Sequence, residues 1–440
     1  MKRSLIISAT LLYCIAIGAQ NNNNTLKDCL ERGLKNNYSL RIIRNQEEIA
    51  KNNKSLANAG ILPTVEATAG YSGTLDNTDT TPRDASEKST QQRNITDHTL
   101  RAGIDLQWTI FNGFKMQADY NRLKELSLLS QTQTRIAVED FIAEFTAEYY
   151  NYIQQRLRLK NLNYAVRLSR ERMRIVQDRY IIGDNSRLDL LQARVDFNAD
   201  SADCMKQEEL LITSRIRLYE LMAERNTDIN ILANDTVIYT GYNLNFNTLW
   251  EATLANNVSL IESAHNRRIA DLELKSIRSR DYPYLKLNAG YGYTQNRYET
   301  GNTKERDQWG ADFGLTLGFK LFDGKRSRER RNARIAVQNA ALKQENLELE
   351  LYAELSKIWQ AYENNRRLLM LERQNILAAR ENYDIAYERY LMGDLSGIEM
   401  REAQQSMFDA EERILVAEYN TKLCEISLLQ ISGKIDKYLE

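Results

Sequence analysis

The sequence predicts a mainly α-helical protein with a membrane β-sheet portion, built from a duplicated strand–strand–long-helix–helix unit. Three observations predict it. Two tracts of about 70 residues, 113–182 and 325–392, carry no proline and no internal glycine. Four shorter segments alternate apolar and polar residues. The landmarks of the first half recur in the same order in the second.

Bulk composition agrees with long helices. There are three prolines in 440 residues, and Leu, Ala, Glu, Arg, Lys, Gln and Asn dominate. The net charge of −1 provides no field that would draw nucleic acid, so none is expected as a partner.

Residues 1–19 read as a secretion signal. Lys2 and Arg3 lead an apolar stretch from Leu5 to Ile17, and Ala19 supplies the small residue before a cleavage point. Cys14 is a poor lipidation site, because Tyr13 stands where a small residue is needed. No later segment is apolar for long enough to be a spanning helix, which leaves an exported soluble protein or a β-barrel. The mature cysteines Cys29, Cys204 and Cys424 are odd in number and scattered, so they form no disulfide framework.

The first repeat is expected over 20–225 and the second over 248–433, with a tail at 434–440. Helix is expected from Leu26 to Asn58 and again from Leu249 to Arg280. Strands follow at about 62–75 and 99–111, and at about 284–294 and 309–321, joined by polar loops Asp76–Asp97 and Gln295–Gln308. In the fourth, Trp309, Ala311, Phe313, Leu315, Leu317, Phe319 and Leu321 take one face. A sheet on a soluble core alternates as cleanly. The aromatic residues at the ends of these faces favour a membrane girdle. The long helices 113–182 and 325–392 would each extend roughly 105 Å, and shorter ones follow at 186–224 and 396–432. Residues 226–247 join the halves as an irregular or strand-bearing patch.

The repetition is specific. Arg179-Tyr180-Ile181-Ile182-Gly183-Asp184 matches Arg389-Tyr390-Leu391-Met392-Gly393-Asp394, and Phe111-Asn112-Gly113 matches Phe322-Asp323-Gly324. Asn37-Tyr38-Ser39-Leu40 matches Asn257-Val258-Ser259-Leu260. The period is roughly 210–220 residues, that of a duplicated domain and not of a solenoid. Four strands cannot close a membrane barrel, and an open sheet would strand polar backbone groups in hydrocarbon. Membrane strands therefore require other copies of the chain.

The duplicated strand pair, the long helix and the Tyr-x-x-Gly turn in both halves resemble the TolC-like outer-membrane efflux family over nearly the whole mature chain. The resemblance implies a homotrimer with one twelve-stranded barrel in the outer membrane and a helical tube in the periplasm. It implies a channel of efflux or type I secretion, without enzymatic activity or cofactor. A periplasmic adaptor and an inner-membrane pump of the RND or ABC kind would be its partners. The competing reading is an exported coiled-coil structural or adhesive protein, which leaves four symmetrically placed strands unexplained.

Both Tyr-x-x-Gly phrases read as a helix end, a turn and a new start. Gly183 and Gly393 suit the left-handed position, and Ser186 with Asp189 and Ser396 with Glu399 form capping boxes. The family places these turns at the periplasmic tip. There Tyr180, Ile181, Ile182, Gly183, Tyr390, Leu391, Met392, Gly393 and Leu395 would offer a surface to the adaptor. Glu399, Glu402 and Asp189 would ring the aperture with acid. The family's latch arginine, two residues after the second glycine, is replaced by Leu395. Positive charge over Lys325–Arg331 opposes the helix dipole, so lipid headgroups or nearby acids should offset it.

Enzyme signatures are incomplete. His98 and His265 stand far apart without cysteine partners. Gly318–Lys325 has the wrong spacing for a phosphate loop. Asp312-Phe313-Gly314 is read as strand alternation.

Overall fold

The computed structural model describes residues 25–84, 86, 88–225, 237–238, 240–241 and 244–439. The expected secretion signal and most of the joining segment lie outside the described residues. The elements run α1 Leu26–Asn36, α2 Tyr38–Asn53, β1 Thr64–Thr80, β2 Thr90–Asn112, α3 Lys115–Ile181 and α4 Arg187–Leu221. They continue with α5 Phe246–Asn256, α6 Val258–Arg278, β3 Tyr284–Arg297, β4 Glu305–Gly318, α7 Gly324–Met392 and α8 Gly397–Ile431. Two compact units form. One holds the described parts of Met1–Asn45, Thr132–Ile261 and Asn346–Glu440; the other holds Gln46–Gln131 and Glu262–Glu345. Each unit draws on both repeats.

The first unit is helical. On α3, Ile142, Phe145, Tyr149 and Ile153 recur at helical spacing and are buried against Leu30 of α1, Leu218 of α4 and Leu429 of α8. Each such side chain contributes about 1.5–3 kcal/mol by leaving water. Ile238, from the joining segment, enters this core.

The helices expected as single pieces at 26–58 and 249–280 are each broken. Asn37 and Asn257 sit at the breaks, and the cause is their side chains. Asn37 Oδ1 accepts from the Leu40 N–H, and its Nδ2 donates to the Leu221 carbonyl, at 3.2 and 3.0 Å. Asn257 repeats this with the Leu260 N–H and the Ile431 carbonyl, at 3.1 and 2.9 Å. Each asparagine thus starts one helix and receives the end of another.

The second unit holds one antiparallel sheet in the order β1-β2-β3-β4. Its register puts the alternating apolar sets on a common face. Val65 lies opposite Leu106, Leu106 opposite Ala289, and Ala289 opposite Phe313. The next rung on the other face is acidic, with Glu66 opposite Asp105 and Gly290 between Asp105 and Asp312. Both faces are largely exposed; Phe313 is 88 % accessible. Among the described residues, β1 and β4 each pair along one side only.

The strands depart from expectation at their ends. β1 and β2 stay paired out to Thr80 and Thr90, so the ladder runs well into the expected 76–97 loop. The threonines there suit a pleated strand although they carry no apolar alternation. A register shift between Thr109 and Phe111 interrupts the β2–β3 pairing at Ile110. β4 ends at Gly318, leaving Phe319 and Leu321 outside it.

The matched Phe-Asn/Asp-Gly phrases open the two long helices. Asn112 Oδ1 accepts from the Met116 N–H, and Asp323 Oδ1 from the Lys325 N–H, both at 3.1 Å. Gly113 has φ +68°, and a Cβ there would lie 2.1 Å from the Ser279 carbonyl oxygen. Gly324 meets no such obstacle. Part of the positive run is offset from within the chain, because Asp281 receives Arg326 at 3.3 Å and Arg330 at 3.2 Å.

Candidate functional site

The two Tyr-x-x-Gly turns lie in the helical unit and share one backbone geometry. Gly183 and Gly393 adopt φ +86° and +87°. In each turn the glycine N–H donates to the tyrosine carbonyl at 3.1 Å. The following aspartate N–H reaches the carbonyl of Arg179 or Arg389, at 2.9 and 3.0 Å. Only the left-handed region allows this closure, which is why glycine occupies both positions.

The chain restarts as a helix through capping boxes. The Ser186 hydroxyl accepts from the Asp189 N–H, and Asp189 Oδ2 accepts from the Ser186 N–H at 3.0 Å. Ser396 and Glu399 reproduce the pair, with Glu399 Oε2 accepting from the Ser396 N–H at 3.0 Å and its hydroxyl at 2.7 Å. These two bonds, hydroxyl first, hold the Glu399 carboxyl below its ordinary value. Asp189 and Glu399 are therefore engaged as caps. Glu402 is exposed and makes no such bond with the described residues.

The turns pack over an apolar cluster of Val176, Ala193, Tyr383, Tyr390, Met400 and Met407, with Leu395 against its edge. Their outer residues are open. Ile181, Ile182 and Met392 are at least 70 % accessible, and Leu391 is half exposed. Between the helix pairs lies a cleft of about 1190 Å³ that Asp189 and Glu402 both line.

One arginine joins the two turns, and it stands at neither the expected latch position, held by Leu395, nor its counterpart in the first half, Asn185. Arg179 Nη2 donates to the carbonyls of Tyr390 and Leu391, each at 3.0 Å, and its guanidinium stands 5.1 Å from the centre of the Tyr390 ring. Between this guanidinium and the apolar cluster, Tyr390 is 2 % exposed. Burial pushes its phenol above the ordinary value, while Arg179 and Arg172 oppose the shift. Deeper along the same helices, Arg401 makes a two-pronged pair with Asp200 at 2.8 and 2.6 Å, and Arg172 pairs with Asp196. The only trace of these contacts in the sequence was the recurrence of Arg before each Tyr-x-x-Gly phrase.

Comparisons with known proteins accord with this architecture. The profile described as "Outer membrane efflux protein" matches residues 29–224 and 249–434. The chain is 19 % identical to the proteases secretion protein PrtF of Dickeya chrysanthemi, over 99 % of this chain and 94 % of that one. It is 20 % identical to the outer membrane protein TolC of Vibrio cholerae, over 98 % and 95 % of the two chains. Its fold resembles the crystal structure of the outer membrane protein VceC of Vibrio cholerae, with a TM-score of 0.74 at 15 % identity, covering 93 % and 96 % of the two chains.

Proposed function

The chain belongs to the outer membrane efflux protein family, and from that premise we propose that three copies form a passive exit duct completed by a periplasmic adaptor and an inner-membrane pump. The observation that carries this reading is the open sheet. Among the described residues β1 and β4 each leave one edge unpaired, and the apolar face is exposed. In hydrocarbon each unmet backbone group costs several kcal/mol, so the edges must pair with further copies. Three four-stranded sheets give one twelve-stranded barrel. The opposite face, with Glu66, Asp105 and Asp312 on one rung, then borders water. A coiled-coil structural or adhesive protein would have no use for such a sheet.

The tip turns supply the working parts of this duct. Glu402 provides a free carboxylate at the aperture, and Asp189 and Glu399 add charge there while capping their helices. Repeated around an axis, these acids attract cations. Tyr180, Ile181, Ile182, Gly183, Leu391, Met392, Gly393 and Leu395 form the surface on which the adaptor docks, with Tyr390 buried behind it. An RND or ABC pump selects the cargo, efflux substrate or secreted polypeptide, and the duct conducts it without chemistry. The exposed Lys325, Arg328 and Arg331 meet outer-membrane lipid headgroups.

The test is reconstitution of the full chain in planar bilayers after native mass measurement. A trimer with discrete conductance, blocked by a multivalent cation from the aperture side, is expected. Glu402→Gln should weaken that block while leaving the trimer intact. A water-soluble monomer that needs no detergent would remove the duct altogether.

A further inference from the structure

The two tip turns have the same sequence pattern and the same backbone, yet their surroundings differ. The second turn is clasped by Arg179 of the first, through the Tyr390 and Leu391 carbonyls and the Tyr390 ring. The first turn receives nothing comparable from the described residues. Tyr180 is 40 % exposed where Tyr390 is 2 %, and Ile181 is 72 % exposed where Leu391 is 47 %. The arginine equivalent to Arg179 is Arg389. It is exposed, and its Nη2 donates to the carbonyl of its own Asp394 at 3.5 Å. Among the described residues, one chain thus holds at one end of the tip pair an exposed arginine that bonds only within its own turn, and at the other a turn that no arginine clasps.

We propose that Arg389 clasps the first turn of a neighbouring copy, donating to the carbonyls of Tyr180 and Ile181 and covering the Tyr180 ring. The occupant is a second copy of this chain because the missing partner is specified by the duplication itself. A ring in which first and second turns alternate has one kind of junction, and Arg179 already shows its geometry. In such a ring each chain gives one guanidinium and takes one, so the contact closes without a leftover group. The clasp uses backbone carbonyls at the end of a helix, and a planar guanidinium can donate to two adjacent carbonyls while its flat face lies against the tyrosine ring, a combination a compact ammonium does not reproduce. It also replaces the latch expected at Leu395: the fastening residue precedes the tyrosine in each phrase and does not follow the glycine.

The inference rests on the oligomeric duct proposed above, and the experiment separates the two. Two cysteine pairs are introduced in a full-length background with Cys29, Cys204 and Cys424 replaced by alanine: Arg179→Cys with Leu391→Cys, and Arg389→Cys with Ile181→Cys. Both are treated in membranes with a short thiol cross-linker and run on denaturing, non-reducing gels. The first pair should stay at monomer mobility, linked within one chain, and the second should shift to dimer and trimer mobility. A trimer by native mass whose second pair gives no interchain product, while the first links, overturns the clasp and leaves the duct standing. A monomer by native mass overturns both. As a second reading, Arg389→Ala should raise single-channel conductance of the intact trimer and Arg389→Lys should not restore it; unchanged conductance in Arg389→Ala overturns the clasp.

Discussion

Asn37 Nδ2 donates to the backbone carbonyl of Leu221, 184 positions later, and Asn257 does the same to Ile431. The pair makes the internal duplication a physical fact: the same side chain ends the same helix in both repeats. Asn257 is 6 % exposed. Asn257→Ala should therefore leave the Ile431 carbonyl without its partner and cost about 1–3 kcal/mol. Resistance of the assembled protein to heat in detergent measures this, and a variant as resistant as the wild type contradicts it.

Much of this arrangement was legible in the sequence because it is local. Proline-free tracts, alternating strands, left-handed glycines and Ser-x-x-Asp/Glu boxes each depend on neighbours a few residues away. The helix breaks at Asn37 and Asn257 were not legible, since asparagine interrupts a helix only where a distant carbonyl rewards it. Arg179 reaching Tyr390 likewise spans 211 positions. The outer ends of β1 and β2 were read as loop because their Thr-rich pairing lacks an apolar face to announce it. The offset of Arg326 by Asp281 needed two segments to meet that nothing local brings together.

Lys422 is another residue whose place no local pattern foretells. It is 2 % exposed, 3.2 Å from Glu425, with the rings of Tyr150 and Tyr438 at 5.0 and 5.3 Å. Burial lowers its pKa and Glu425 opposes that. Lys422→Met alone should destabilise the helical unit by about 3–5 kcal/mol, because a carboxylate is left buried. Lys422→Met with Glu425→Gln should recover most of the loss. Equal thermal midpoints for the single and double variants would show that the pair is not coupled.

The Glu399 cap carries a pH dependence of known sign. Its folded pKa lies below the ordinary glutamate value, so the unfolded tip binds the proton more readily than the folded one. The stabilisation is complete above the unfolded value and disappears as pH falls through the lowered one. The protection of the 397–400 amides, taken relative to their intrinsic exchange rates at each pH, should fall over that acid interval, and Glu399→Gln should abolish the step. Protection that is flat in pH for the wild type contradicts the assignment.

Matched glycines need not be equivalent. Gly113→Ala forces a Cβ against Ser279 in a backbone conformation that alanine resists, and should sharply reduce the yield of assembled protein. Gly324→Ala sits in open space at the first position of α7 and should be neutral or stabilising by up to about 1 kcal/mol. Yields measured side by side decide it, and similar losses for both would refute the distinction.

The bare margins of β1 and β4 have a genetic corollary. In the proposed trimer a subunit that lends its edges to two others is only as sound as its companions, so an injury there, a proline at Thr68 for instance, is inherited by every assembly the damaged chain joins. With the three seats of that proposal and equal supply, roughly one assembly in eight would be wholly sound. Such alleles should behave as dominant in a cell that makes both forms, whereas lesions in the helical interior, which prevent a chain from presenting itself at all, should be recessive.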